Sequence, residues 1–145
     1  MSKILIKAQI DTDITNKTTS KSISPLNVGE NMKAVVDLIP EIPYKVYTAL
    51  LSQTSTNAPV ATILENTLGG TVVFSYSGVG SYVATLTGVF ILNKTWCSIT
   101  STASADVTVT AGRSSDNTVN INSFLSGTLT NSIMSPTCLE IRVYN

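Results

Sequence analysis

The chain has 145 residues, nine basic and nine acidic side chains, and no histidine, so its formal net charge is zero. Charged residues make up only 12%, about half the share usual for a folded domain, while 43% are hydrophobic. That balance excludes a disordered chain and a basic nucleic-acid tracker, and the lack of histidine removes Ser-His-Asp and Cys-His triads and the commonest transition-metal ligand.

Lys3 to Ile10 alternates, with Ile4, Ile6, Ala8 and Ile10 on one face, and reads as a strand or extended arm. It carries no signal-peptide cleavage pattern, so synthesis in a cytosol is expected. No apolar run approaches the roughly 18 residues of a membrane-spanning helix. Residues 11–22 are polar and read as a linker. Ser24 then offers a helix N-cap and Pro25 a first helical position, where its missing N–H costs nothing. Val28, Met32, Val35 and Ile39 recur at helical spacing and form one apolar stripe; Pro40 and Pro43 end the helix. A helix this short is marginal alone, so its stripe is expected to pack on the β-domain or on the same helix of another copy.

From Tyr44 onward the pattern is all β. Strands are expected over Tyr44 to Gln53, Val60 to Leu64, Thr71 to Ser77, Tyr82 to Thr87, Thr95 to Thr100, Ala105 to Thr110, Thr118 to Asn122 and Thr137 to Tyr144. Gly69-Gly70 and Gly78-Val79-Gly80 supply turns, and a polar loop is expected from Ser123 to Ser135. The closing TCLEIRVY alternates strictly, which places it inside a sheet, with Cys138, Glu140 and Arg142 on the face opposite Leu139, Ile141 and Val143. The expected fold is mainly β: an antiparallel β-sandwich, jelly-roll or Ig-like, of about eight strands. It spans residues 44–145 and follows an arm and an assembly or attachment helix in residues 1–43.

No chemistry-bearing constellation emerges. Cys97 and Cys138 are too few for a structural zinc site, and a cytosolic origin favours free thiols. Glu65, Asp106, Asp116 and Glu140 include two that border turns and one, Glu140, that pairs with Arg142 along a strand. No catalytic, cofactor-binding or metal-binding residue is assigned, and no enzyme activity is expected. Trp96 shares a face with Ser98, opposite Cys97 and Ile99, and is either an outward binding residue, a subunit contact or an edge filler of the core.

The stretch APVATILENTLGGTVVFSYSGVGSYVATLTGVF with the NKTW after it, and the closing LEIRVYN, resembles small virion structural proteins of bacteriophages that infect Bacteroidetes such as flavobacteria. The segment ITNKTTSKSISPLNVGENMKAVVDLI is similar to the region that precedes such modules. The resemblance implies a viral protein of the fibre, spike or capsid-decoration type, located in the virion, acting in assembly or host attachment, without enzyme activity or cofactor. It implies a homo-oligomer, a homotrimer by analogy with fibres. Val28, Met32, Val35 and Ile39 would then lie at the subunit contact, and Ile4, Ile6 and Ile10 would anchor the arm on a neighbouring strand or another virion protein. The alternative expectation is a module that binds host-surface or mucus glycans, with Trp96, Tyr76 and Tyr82 as the stacking residues.

Overall fold

The computed structural model describes residues 8, 10, 25–38, 42–101 and 106–145. The chain divides into two compact units, Met1–Ile42 and Pro43–Asn145. In the first unit, helix α1 runs Pro25–Val36, so Pro25 does take the opening turn. The amide of Asp37 donates to Lys33 O and that of Leu38 to Val35 O, which carries the winding one turn further. Ala8 and Ile10 are helical rather than extended. Ile4, Ile6, Ser24, Ile39 and the linker lie outside the described residues.

The second unit is an antiparallel β-sandwich. Its strands are β1 (Tyr44–Ser52), β2 (Val60–Asn66), β3 (Val73–Gly78), β4 (Ser81–Thr85), β5 (Thr95–Ser101), β6 (Val107–Arg113), β7 (Thr118–Leu125), β8 (Thr128–Leu129) and β9 (Thr137–Tyr144). One sheet has the order β2-β1-β9-β5 and the other β3-β4-β7-β6, with β8 added beside β7. The closing strand β9 therefore lies within its sheet, as its alternation requires. The edge strands β5 and β6 run close together and close one side of the sandwich. β2 and β3 are the other edges, and there Val60, Ile63, Leu64 and Val73 are exposed.

Alternation decides what each layer buries. Tyr47, Ala49 and Leu51 of β1 and Leu139 and Ile141 of β9 face Tyr82 and Ala84 of β4 and Val119 and Ile121 of β7. Phe90, Met134, Leu68 and Val72 come from connections and complete the same core. Each large apolar side chain buried in this way contributes about 1.5–3 kcal/mol. Cys97 and Ile99 pack against the core from β5, on the face expected of them.

Residues 123–135 depart from the expected polar loop. β7 continues to Leu125, turns through Ser126 and Gly127, both at positive φ, and returns as β8, with Leu125 opposite Thr128. A two-residue turn with positive φ at both positions suits the twist of a hairpin. The Ser-Gly pair is a turn signal in the sequence. β6 also outruns its expected end and reaches Arg113, whose guanidinium donates to Phe90 O and pairs with Asp116. This pins the 88–91 connection to the β6–β7 turn.

Candidate functional site

The outer face of the β2-β1-β9-β5 sheet carries the most organised group of polar and aromatic side chains. Along β9, Thr137, Leu139, Ile141 and Val143 are buried, so Cys138, Glu140, Arg142 and Tyr144 point outward. Strand pairing then selects their neighbours, because directly opposed residues share a face. Arg142 faces Trp96 on β5 and Val46 on β1; Tyr144 faces Tyr44; Glu140 faces Ser98 on one side and Thr48 on the other. Thr48 in turn faces Glu65 on β2.

Arg142 is the centre of this group. Its guanidinium lies 4.7 Å from the centroid of the Tyr44 ring and 5.0 Å from that of Trp96. Its Nε donates to Glu140 Oε1. That bond first, and then one with Tyr144, push its already high pKa higher still. Tyr44 and Tyr144 meet at 5.3 Å between centroids with their planes tilted by 57°. Trp96 remains 46% exposed and Tyr144 39%. Beside Tyr144 opens a recess of about 240 Å³ that Lys45, Leu68, Val89, Ile91 and Val143 also line.

The expected stacking trio is split by the fold. Trp96 does face outward with Ser98, but Tyr82 belongs to the other sheet and is 1% exposed. Its ring is core, with its hydroxyl 3.2 Å from Asn131 Oδ1, and offers no face to a ligand. Tyr76, half-buried on β3, packs edge-on against Tyr82 at 6.0 Å. The aromatic partners of Trp96 are instead Tyr44 and Tyr144, gathered by Arg142. The Glu140–Arg142 ion pair was legible from their spacing; the flanking of β9 by β1 and β5 was not, because it depends on long-range register.

In the first unit, Val28, Met32 and Val35 line one apolar groove of about 280 Å³ together with Ile10, Asn31 and Val36. Met32 is 66% exposed, whereas Asn31 is buried and its amide nitrogen has no hydrogen-bond partner among the described residues. No group of three or more Cys, Asp or Glu side chains able to hold a metal ion occurs among the described residues. No described helix is long and apolar enough to cross a membrane. The chain matches no family model, no curated protein and no solved structure.

Proposed function

We propose that this protein is a non-enzymatic structural subunit that assembles with copies of itself through α1, in a virion of the phage type that the sequence resembles. The observation that carries the reading is the groove of α1. A 12-residue helix is too short to hold its form in water by propensity alone. This one keeps Leu26, Val28, Met32, Val35 and Val36 exposed along its length. A surface of that kind needs a partner, and the same stripe of a second or third copy is self-complementary to it. The low surface charge of the chain also disfavours repulsion between copies. The fibre, spike or capsid-decoration role, other virion proteins as partners and the virion as location rest on the resemblance of residues 44–145.

The test is the solution mass of the full-length protein by light scattering. The expected result is three times the 15.4 kDa chain mass. A double variant, Met32→Glu with Val35→Glu, is expected to fall to the mass of one chain while its β-sheet circular dichroism stays unchanged. A wild-type monomer at about 100 µM, where associations weaker than millimolar are already irrelevant, overturns the reading.

A further inference from the structure

We infer that the outer face of the β2-β1-β9-β5 sheet is a binding site for a neutral sugar chain, with Trp96 as its stacking platform and Glu140 and Arg142 as its hydrogen-bonding pair. This inference goes beyond the assembly reading and does not depend on it.

The first argument is that the site is preorganised. Trp96, Arg142, Tyr144 and Tyr44 stand on three adjacent hydrogen-bonded strands, and Arg142 is held from three sides by Tyr44, Trp96 and Glu140. Ordering these side chains has been accomplished by folding, so a ligand meets groups already in place. Trp96 is positioned by a cation and a strand rather than by burial, which leaves nearly half of its surface open.

The second argument is charge. Arg142 and Glu140 neutralise one another, so an anion gains little from the guanidinium. Arg142 covers Tyr44 and one face of Trp96, so a cationic ligand on the part of the indole left open would have to sit beside that guanidinium. What remains is an uncharged ligand with an apolar face for the indole and hydroxyls for a carboxylate and the remaining guanidinium N–H groups. A pyranose ring has both.

The third argument is what surrounds the ring. Continuing along the face, the next row is Ser98, Glu140, Thr48 and Glu65, and the one after it is Thr100, Cys138, Leu50 and Thr62. The hydroxyls and carboxylates of the row next to Trp96 suit a polyhydroxylated chain running over the sheet. A proline-rich or other apolar peptide would need an aromatic-lined groove to continue there, and it does not.

The test uses the full-length protein and its one tryptophan, so that indole emission reports on this site alone. Cellohexaose, mannohexaose, galactohexaose and chitohexaose are titrated to about 10 mM, where a site with a Kd of about 1 mM is nine-tenths full. At least one is expected to shift Trp96 emission saturably. Calorimetry with that oligosaccharide is expected to show binding at least tenfold weaker in Trp96→Ala and in Glu140→Gln, and retained in Trp96→Tyr, with all three variants melting like the parent. No saturable response to any of the four overturns the inference. So does a response to octaproline alone, or a shift that follows protein concentration rather than sugar, which would mark the face as a contact between copies. Equal affinity in Trp96→Ala would place the sugar elsewhere and overturn it too.

Discussion

The side-chain carbonyl of Gln53 accepts the backbone N–H of Ser132 at 2.6 Å, across 79 residues of sequence. The amide end of Gln53 donates to Ser55 O at 2.7 Å and to Asn57 O at 3.0 Å. Its own backbone N–H donates to Met134 O, and Ser55 N donates back to Ser132 Oγ. Gln53, 3% exposed, thus welds the β1–β2 turn to the segment before β9. Removing it leaves several backbone groups short of partners in a confined place. Gln53→Leu is expected to cost about 2–4 kcal/mol, read as a lower urea midpoint at unchanged slope. Gln53→Glu, which keeps the acceptor but sets a carboxylate against two carbonyls, should be no better.

Glycine is required at position 80 for two separate reasons. Its φ is +62°, and a Cβ there would stand 2.5 Å from Thr130 N, 2.6 Å from Ser123 O and 2.9 Å from Leu129 C. These are backbone atoms, and they are bonded: Ser123 N donates to Gly80 O and Thr130 N to Ser123 O. Neither strand can retreat without breaking the contact between the β3–β4 turn and the β7–β8 hairpin. Gly80→Ala is expected to lose more than about 3 kcal/mol. Gly69→Ala, with φ +88° but nothing within 4 Å, should lose only about 1–2 kcal/mol, the left-handed strain alone. Thermal melts of the two variants separate the steric effect from the torsional one.

These two positions show how far the sequence reaches. Alternation in TCLEIRVY is enough to place Leu139, Ile141 and Val143 in the core and Arg142 outside, because the two-residue period of a strand is local. The turn around Gly80 is equally readable, since glycine beside a hairpin is a local requirement. Gln53 and Arg142 take their meaning from distant partners, Ser132 for the one and Val46 and Trp96 for the other, about which a polar residue in an alternating run says nothing. Tyr82 lies in the core, not on a binding face, for the same reason: an aromatic on an alternating strand faces either the core or the solvent, and only the sheet opposite decides which. The turn at Ser126-Gly127 is hidden because the surrounding Ser, Thr and Asn residues look like loop, while the flanking Phe124 and Leu129 form a short ladder.

The two thiols should differ sharply in reactivity. Cys97 faces the core on β5 and burial pushes its pKa up, while Cys138 is exposed on the opposite face of β9. The thiolate is the reacting species, so both its scarcity and its access disfavour Cys97. Mass spectrometry after a short iodoacetamide pulse at about pH 8 is expected to find Cys138 labelled at least tenfold faster than Cys97. Denaturation in urea should abolish the difference. No disulfide should form between them in the folded protein, since they project from opposite faces of one sheet.

Tyr47 carries a cost that a smaller change removes. Its hydroxyl is fully buried and has no hydrogen-bond partner among the described residues, while its ring packs 6.3 Å from that of Phe74. Tyr47→Phe keeps the ring and deletes the unpaired group, so it is expected to be neutral or up to about 1 kcal/mol stabilising. The same burial raises the pKa of Tyr47, as it does for Tyr82 and Cys97. For an acid, a raised folded-state pKa means that the folded state holds its proton after the unfolded chain has begun to lose it. The stability these groups contribute is therefore whole below their ordinary values of 9.0 for cysteine and 10.0 for tyrosine. It is lost as pH climbs from there through the folded-state values. Melting temperatures should hold level up to about pH 8.5 and then fall steadily. The fall should be shallower in Tyr47→Phe, which has one fewer buried acid to ionise. A variant that melts lower than the parent at neutral pH and falls as steeply above pH 9 would mean that the Tyr47 hydroxyl has a partner and contributes to folding.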